Sequence, residues 1–529
     1  MNKIFKLKSI FAIMIASFSI ISCSDLTIVE TDSVIQATPV FSGVEDVDGQ
    51  LTSVYRNTYG MIGEQGNWFA MNEVSTDELL VPTRGTDWGD NGIWRQLHNH
   101  TWKQDHPFIL TVWNQANGNA FKATEIIDPL SSASAQQVAE AKFLRAFNMY
   151  WVLDFWGQVP FRNATDPGSS VPIVMTPQEA YDFIMTDIDD AISALAVIGP
   201  SLQLGVASKA AANYLKAKVI LNSERYTGST PNYAAVISAV DAIAADGYGL
   251  QAGYFDLFTP TVNTETIWYG NNGISVGNRI WNGLHYNHTT PNQGGGGWNG
   301  FATLSEFYDT FEGDANANYG LADGTPLNNQ EERRGFVPNA DSADETVNYG
   351  FSYGFVIGQQ YDGDGTPLTT RSGDPLVFTR ELDLFNSNEA SGIRTQKYHP
   401  NQVGVGQVSV SDDSFRAHQV MFRYSDAHLM KAEAMMRSGG NATEMVNELR
   451  VLRNASPLGS VSEADMLEER GRELWTEFWR RGDLLRFGKF TKDWEWKDPA
   501  AVGNDTRNLY PIPLAALVSN PNLQQNPGY

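Results

Sequence analysis

The chain of 529 residues contains only one cysteine, Cys23. A single thiol excludes a disulfide scaffold, an iron–sulfur cluster and a thiolate zinc site, because each of these needs several cysteines. Basic residues are also few, since 37 Lys and Arg stand against 61 Asp and Glu and give a formal charge of −24. This acidity argues against a nucleic-acid-binding protein, which needs basic surface to bind phosphates.

Long hydrophobic runs are confined to the first two dozen residues. Three lysines, the last of them Lys8, precede an apolar run from Ile10 to Ile21. That run is too short to span a bilayer, whose hydrocarbon core of roughly 30 Å needs about 20 residues. A basic start followed by such a run is typical of a secretory signal. We therefore expect residues 1–22 to be a signal peptide and no other segment to cross a membrane.

The only cysteine ends this segment in the sequence Ile20-Ile21-Ser22-Cys23, which resembles a bacterial lipobox. The resemblance implies that Cys23 is acylated, with palmitate among its chains, and becomes the mature N-terminus. The alternative is a signal peptide with a chance cysteine. Several acyl chains, at about 0.8 kcal/mol per buried CH₂, make a durable anchor. Residues 23–42 are polar and mixed, and we interpret them as the lipidated tether of an exported protein.

The mature chain has ample apolar material, 42% hydrophobic and 12% aromatic, for a core. From residue 43 to 250 its spacing is helical, most clearly over residues 136–156. Further helix starts are indicated by Thr176-Pro177 with Glu179, by Ser208 and by Asn232. Alanines at positions of close helix approach are typical of tetratricopeptide-like stacking, although a strict 34-residue consensus is absent.

Residues 251–410 have a different composition, with 23 of the 47 glycines and many Asn and Asp. They predict turns, short strands and long loops, which commonly carry binding function. Helical patterns return in residues 411–529, at 425–437, 443–453 and 462–488, and a proline-rich closing segment predicts a packed C-terminal arm. The predicted fold is all-α, a tetratricopeptide-like helix-pair superhelix with a large loop-rich, glycine-rich insertion.

Five segments carry a more specific pattern when they are taken together. They are AEAKFLRAFNMYWVLDFWGQVPF (139–161), SKAAANYLKAKVILNSERYTG (208–228), FRYSDAHLMKAEAMMRSGG (422–440), ERGRELWTEFWRRGDLLRFG (469–488) and YPIPLAALVSNPNLQQNPGY (510–529). In this order, and with the lipobox in front, they resemble the SusD/RagB family of nutrient-binding outer-membrane lipoproteins of Bacteroidetes. The resemblance implies four tetratricopeptide-like helix pairs, a looped glycan-facing region and a SusC-like TonB-dependent transporter as partner.

The candidate ligand-binding residues lie in two irregular stretches, 75–94 and 278–301. Sugar-binding surfaces combine aromatic rings, which stack on the C–H face of a pyranose, with polar side chains that match its hydroxyls. From the two stretches we select Trp88, Trp298, Arg84, Trp281, Tyr286 and Asn299. Packing of the tryptophans onto the helices remains an alternative, because most of the 14 tryptophans lie outside these stretches.

Two weaker patterns concern ions. The histidine pairs within 98–100 and 285–288 lack an accompanying carboxylate pattern, so we expect no metal site and no cofactor. Residues 362–365, Asp-Gly-Asp-Gly, open like a calcium loop, but Gly373 stands where such a loop needs its Glu. An ordinary turn is the preferred interpretation, with calcium as the alternative.

Charged residues are concentrated in the last helical segment. Their spacing indicates a structural role rather than a catalytic one. Arg472, Glu473, Glu477, Arg480, Arg481, Asp483 and Arg486 lie one or two helical turns apart and predict an ion-pair lattice between helices. The expected function is a non-catalytic surface lipoprotein that binds oligo- or polysaccharide and delivers it to the transporter. Peptide capture is the first alternative. A secreted glycoside hydrolase is the second, and it would need two carboxylates about 5–10 Å apart.

Overall fold

The computed structural model describes residues 41–202, 205–258, 262–271, 282–288, 297–313, 330–336, 353–361, 366–398 and 418–529. Residues 42–529 form one compact unit. The predicted signal peptide, Cys23 and nearly all of the predicted tether lie outside the described residues. So do Trp281 and the candidate calcium loop at 362–365.

Helices form most of the scaffold. In the described residues they are α1 (Val47–Gly63), α2 (Asn67–Glu73), α3 (Ile93–His98), α4 (Pro107–Ile127), α5 (Ala135–Trp156), α6 (Pro177–Ala194), α7 (Lys209–Leu221), α8 (Glu224–Thr227), α9 (Tyr233–Ala245), α10 (Ser305–Tyr308), α11 (Tyr424–Arg437), α12 (Thr443–Leu452), α13 (Glu463–Leu474), α14 (Arg480–Arg486) and α15 (Leu514–Ser519). None of these described helices is long and apolar enough to cross a membrane.

The long helices pack in their order along the chain. Helix α4 packs on α5, α5 on α6, α6 on α7, α7 on α9, and α9 on α11. Each helix thus covers the apolar face of its neighbour, as in a superhelix of stacked pairs. Residues 143–156 of α5 are buried without interruption, which makes α5 the centre of the core. The predicted mainly helical, tetratricopeptide-like fold is confirmed.

The predicted helix starts are confirmed as well. Helix α6 begins with a capping box between Thr176 and Glu179, and Ser208 and Asn232 cap α7 and α9 with their side chains. Such caps satisfy backbone N–H groups that have no partner inside the helix. Because a cap involves residues only three positions apart, the local sequence is enough to predict it.

The prediction of one continuous helix over 462–488 is wrong. The helix is interrupted between α13 and α14, where Thr476 and Phe478 adopt positive φ angles of 58° and 77°. Their N–H groups donate hydrogen bonds to the buried carboxylates of Glu78 and Glu73. These two acceptors lie about 400 positions earlier in the chain, so the local helical pattern contains no sign of the break.

Short antiparallel strands connect the loop-rich segment to the helices. Strand β1 (Leu79–Leu80) pairs with β5 (Ala302–Thr303), β2 (Val159–Phe161) with β3 (Ile173–Met175), β4 (Thr266–Asn271) with β11 (His418–Arg423), and β8 (Gly358–Gln359) with β9 (Val377–Phe378), while β7 (Tyr353–Val356) lies between β6 (Gly335–Phe336) and β10 (Arg394–Gln396). The β1–β5 and β4–β11 pairs each join a strand of residues 251–410 to a strand outside that segment.

The predicted ion-pair lattice of the C-terminal helices is confirmed. Arg423 lies 2.6 Å from Glu473, and Arg453 lies 2.8 Å from Glu265, with all four side chains buried. Three of the predicted arginines pair with partners elsewhere in the fold, Arg480 with Asp77, Arg481 with Asp154 and Arg486 with Glu433, whereas Arg472 pairs with Glu469 on its own helix. Removing one member of such a pair leaves an uncompensated buried charge, so these groups hold the helices together.

Candidate functional site

An open cleft of about 680 Å³ brings together three of the six predicted binding residues, Trp88, Tyr286 and Trp298. Its lining consists of Gln65, Thr86, Asp87, Trp88, Asp90, Trp94, Tyr286, Gly297 and Trp298. The two predicted stretches supply all of this lining except Gln65. Aromatic faces and polar groups therefore meet in one concave surface, which is the usual composition of a small-ligand site.

Trp88 forms a fixed wall of the cleft. Its indole Nε1 donates a 2.9 Å hydrogen bond to the backbone carbonyl of Trp298. The ring packs edge-on against Trp94 and Phe301, at centroid distances of 5.6 and 5.8 Å. Gly300 allows this packing, because a Cβ at that position would lie 2.4 Å from the indole. Trp88 is half-buried. It lines the cleft and also holds the backbone of Trp298 through this hydrogen bond.

Trp298 is the exposed ring of the cleft. It is 44% exposed, whereas Gly297 and Asn299 on either side are buried. The backbone N–H groups of these two neighbours donate bonds of 2.9 and 2.8 Å to the carbonyls of His285 and Leu284. The backbone is thus fixed on both sides of the displayed ring. Because the backbone is already ordered, stacking of a ligand on the ring costs no backbone entropy.

A polar cluster lies beside the two tryptophans. The hydroxyl of Tyr286 donates a 2.8 Å hydrogen bond to Asp87. The guanidinium of Arg371 lies 4.2 Å above the Tyr286 ring and 3.1 Å from the same carboxylate. Burial and the Asp87 carboxylate raise the pKa of Tyr286 to about 12, so the hydroxyl keeps its proton. Arg371, with a side chain 54% exposed, is a functional candidate that the sequence patterns did not single out.

A histidine–carboxylate pair anchors this cluster. His285 Nε2 lies 2.7 Å from Glu389, and its Nδ1 accepts a hydrogen bond from the Asn287 N–H. Burial lowers the pKa of His285, so the neutral ring donates from Nε2 to Glu389. Partial burial would raise the pKa of Glu389, but hydrogen bonds from His285 and the Arg371 backbone outweigh it and lower the pKa. Glu389 is therefore ionised at neutral pH.

Arg84 and Asn299 lie behind the cleft rather than on its surface. Arg84 is 3% exposed, donates two 2.7 Å bonds to backbone carbonyls of the 388–391 loop, and has a pKa lowered by burial to about 9. Asn299 donates to the same loop and accepts a 2.9 Å bond from Arg394. The structure gives both residues a positioning role. Trp281 lies outside the described residues.

The histidines of the predicted pairs are all buried. Those of 98–100 contact backbone carbonyls, among them His98, whose two ring nitrogens lie 3.2 and 2.9 Å from the carbonyls of Leu79 and Glu495. In the described part of the chain, no group of three or more His, Cys, Asp or Glu side chains has the geometry to hold a metal ion. The contacts of His98 are those of a satisfied polar group in a core, and His100 contacts the Ser75 carbonyl through Nε2 at 2.8 Å.

Sequence comparison gives two family matches and several relatives. A sequence model described as the SusD family matches residues 264–529, and one described as starch-binding, associating with the outer membrane, matches residues 33–221. The starch-binding protein SusD of Bacteroides thetaiotaomicron is 27% identical over 524 residues, which cover 92% of this chain and 88% of that protein. A SusD-like protein of Formosa agariphila is 24% identical over the full length of both chains.

Solved structures share the fold. A laminarin-binding SusD-like protein superposes with a TM-score of 0.66 at 21% identity, over 92% of this chain and all of the other. Surface glycan-binding protein A of Bacteroides thetaiotaomicron, in complex with laminarihexaose, superposes with a TM-score of 0.63 at 18% identity, over 91% of this chain and 99% of the other. At these identities the likeness is one of fold.

Proposed function

Because the chain belongs to the SusD family, we propose that it is a lipid-anchored surface protein that binds glycans. In this proposal it captures oligo- or polysaccharide and delivers it, unmodified, to a SusC-like TonB-dependent transporter in the outer membrane. The observation that carries the binding step is the cleft, where the ring of Trp298 is exposed and its backbone carbonyl accepts a hydrogen bond from Trp88. The lipobox at Cys23 and the outer-membrane association in the family description support the location.

The cleft offers the two kinds of contact that a sugar ring needs. The Trp298 face stacks on C–H groups, at about 1 kcal/mol for a good aromatic contact. Asp87 lines the same cleft and Arg371 lies over the Tyr286 ring, so both place charged hydrogen-bonding groups at the site. Hydrogen bonds from such groups to hydroxyls are stronger than neutral ones. Since the cleft is open and holds few such contacts, we expect modest affinity and easy release to the transporter.

Glycan cargo is better supported than peptide cargo. Relatives named above bind starch or laminarin, both neutral glucans, and this cleft has the same kind of aromatic lining that stacks on sugars. The net charge of −24 would favour binding of basic peptides, so a basic peptide is included in the test below. A peptide site, however, gains most from backbone hydrogen bonds at an exposed strand edge or from a long apolar groove, and the lining residues provide neither.

The carboxylates that line the cleft, Asp87 and Asp90, already accept hydrogen bonds from Tyr286 and Trp94. The state of Glu389, which is not a lining residue, also argues against hydrolysis here. A glycoside hydrolase needs one carboxylic acid with a raised pKa that protonates the leaving oxygen. Glu389 instead has a lowered pKa and is held by His285 and Arg371. We infer that the protein returns its ligand intact.

Calorimetry on residues 24–529 tests the binding step with maltooligosaccharides, laminarin oligosaccharides, acidic glycans and a basic peptide. We expect saturable binding of one glycan class, reduced about tenfold in Trp298→Ala, which corresponds to about 1.4 kcal/mol. Phe385→Ala is the matched control, because Phe385 is also an exposed ring, 54% exposed, but does not line the cleft. Binding of the peptide alone, or equal loss in both variants, would overturn the proposal.

Two further measurements test whether the bound glycan stays intact and whether the protein associates with a transporter. Chromatography of the glycan after long incubation is expected to show only the starting oligosaccharide, and shortened products would indicate an enzyme. Affinity purification from detergent-solubilised outer membranes is expected to recover a barrel transporter with the lipoprotein. Recovery of the lipoprotein alone would contradict delivery to such a partner while leaving glycan binding intact.

A further inference from the structure

A second pocket, of about 350 Å³, lies between α4, the β2–β3 hairpin and the C-terminal arm. It shares no lining residue with the cleft. Its lining combines large apolar side chains, among them Trp113, Phe121, Met149, Phe161 and Leu523, with the polar side chains of Asn117, Thr124, Arg162, Ser170, Ser519 and Asn520. The volume is within the range of small-molecule sites, about 300–1,000 Å³.

The walls of this pocket are held in place by contacts of their own. Trp113 packs edge-on against Trp156 in the core, with ring centroids 5.0 Å apart. On the other side, the side-chain amides of Asn520 and Asn522 donate bonds of 3.2 and 3.0 Å to the carbonyl of Pro172. The arm is thereby fixed to the hairpin. The pocket is therefore preformed, and a ligand would not have to order its walls.

One cation faces this pocket. The guanidinium of Arg162 lies 4.5 Å above the ring of Phe121 and donates only a long, 3.4 Å hydrogen bond to the carbonyl of Gly168. Among the described residues, no carboxylate forms an ion pair with it, in contrast to nearby Arg145, which pairs with Asp187 at 2.7 Å. Arg162 thus has donors left for an anion, and guanidinium matches a carboxylate with two parallel bonds.

The apolar surface continues from the pocket to its rim. Ile173 lies directly opposite Phe161 in the β2–β3 pair, so both side chains are on the same face, and it is 60% exposed. An apolar ligand longer than the pocket would therefore meet further apolar surface.

We propose that this pocket binds a small carboxylate with an aliphatic or aromatic body. The body lies among Trp113, Phe121 and Phe161, where it is removed from water, and the carboxylate meets Arg162. The site is independent of the proposed glycan cleft.

A homologous series of straight-chain alkanoates, from butanoate to octanoate, tests the proposal by calorimetry on residues 24–529. Affinity is expected to rise roughly two- to fourfold per added methylene until the pocket is full, as apolar burial predicts. Octanol and octylamine, of the same length but without a carboxylate, are expected to bind at least tenfold more weakly. Equal affinity of the three head groups, or no binding of octanoate at millimolar concentration, would overturn the proposal.

Variants separate the head group from the body. Arg162→Gln is expected to lower octanoate affinity about tenfold and to leave octanol binding unchanged. Arg95→Gln is the matched control, because Arg95 also lies over a ring, 5.7 Å from Phe385, but outside the pocket. Ala516→Leu, which fills the pocket from the arm, is expected to weaken both ligands, with a thermal melt to confirm folding.

The outcome does not depend on the glycan cleft. Trp298→Ala is expected to bind octanoate with unchanged affinity, whatever its effect on glycans. If Arg162→Gln left octanoate binding unchanged, or if Trp298→Ala weakened it, the assignment of the carboxylate to this pocket would be wrong.

Discussion

The indole of Trp88 is hydrogen-bonded to the backbone carbonyl of Trp298, 210 positions later in the chain, at 2.9 Å. The bond joins the two predicted stretches at two residues that both line the cleft. Trp88 itself adopts a positive φ of 60°, which is uncommon for a large residue. Its position is thus set by tertiary contacts, and the contact to Trp298 can be removed without removing the ring.

Trp88→Phe should weaken glycan binding even though an aromatic ring remains. The substitution deletes the bond to the Trp298 carbonyl, at a cost of about 1 kcal/mol in unfolding free energy, and loosens the displayed ring. We expect a three- to tenfold loss of affinity in calorimetry. Trp102→Phe is the control, because it removes another indole bond, to Tyr529 at 2.7 Å, outside the cleft. Equal affinity loss in both variants would show that only general stability matters.

Gly300→Ala should destabilise the chain and weaken glycan binding together. The new Cβ would lie 2.4 Å from the Trp88 indole, so the ring or the loop must shift. Overpacking of this kind costs about 1–3 kcal/mol, which chemical denaturation will measure. Gly60→Ala is the matched control, since nothing lies within 4 Å of a Cβ there and α1 should gain stability. A Gly300→Ala protein with native stability and affinity would contradict the described packing.

Arg371→Gln should affect binding rather than stability. The Arg371 side chain is 54% exposed, so its ion pairs to Asp87 and Glu389 contribute at most about 1 kcal/mol to folding. Its donors, however, lie beside the cleft, and we expect a several-fold loss of glycan affinity. Arg380→Gln, which breaks the comparable pair with Asp309, controls for the loss of a surface charge. Unchanged glycan affinity in Arg371→Gln would remove this residue from the site.

Glu78→Gln should change the pH dependence of stability in a defined direction. Burial and the neighbouring charge of Glu73 raise the pKa of Glu78 in the folded chain. A raised pKa contributes stability below the unfolded value of about 4.5 that is lost as the pH rises through the folded pKa. The Gln variant mimics the protonated acid, so the difference between wild type and variant should shift in favour of the variant as the pH rises. Denaturant titrations from about pH 3 to pH 8 measure this difference.

Glu433→Gln is a control for which the pH dependence of stability should have the opposite sign. Burial would raise the pKa of Glu433, but Arg486 and neighbouring arginines outweigh it and lower the pKa to about 2. A lowered pKa contributes stability above the unfolded value that is lost as the pH falls towards the folded pKa. The loss caused by Glu433→Gln should therefore be large at pH 7 and shrink below about pH 4. Parallel pH profiles for the two variants would contradict both assignments.

Cys23→Ser should release the protein from membranes. Acylation requires the thiol, and without acyl chains the prediction leaves no membrane anchor. Fractionation of cells is expected to move the variant from the membrane to a soluble fraction, and mass spectrometry of the wild type should detect an acylated N-terminal cysteine. A membrane-bound Cys23→Ser protein would mean that another segment, or the proposed transporter, holds the chain at the membrane.

Most of the helical scaffold was predictable because its signals are local. Caps at Thr176, Ser208 and Asn232 act over three residues, and helical spacing needs only a few turns of sequence. The break at Thr476 and Phe478 was not predictable, since its acceptors, Glu78 and Glu73, lie about 400 residues away. A helical pattern says which face is apolar, but it cannot say which distant carboxylate will take a backbone N–H.

The candidate site divides in the same way. Residue type was sufficient to nominate Trp88, Trp298 and Tyr286, which the structure places around one cleft. Residue type could not predict whether Arg84 is exposed. An arginine near aromatic residues looks the same in sequence whether it faces solvent or, as here, is buried behind a loop. Arg371 was missed for the converse reason, as no aromatic neighbour in sequence marks the ring that it covers.

The sequence by itself determined the helical scaffold, the family and the two stretches that supply the cleft, because these depend on periodicity, caps and residue chemistry. Only the tertiary structure decided which side of each stretch is exposed, that Trp88 supports Trp298, and that Arg162 faces the second pocket. Those outcomes depend on contacts between residues hundreds of positions apart. Burial and hydrogen bonding are properties of the whole packed chain, and no short segment contains them.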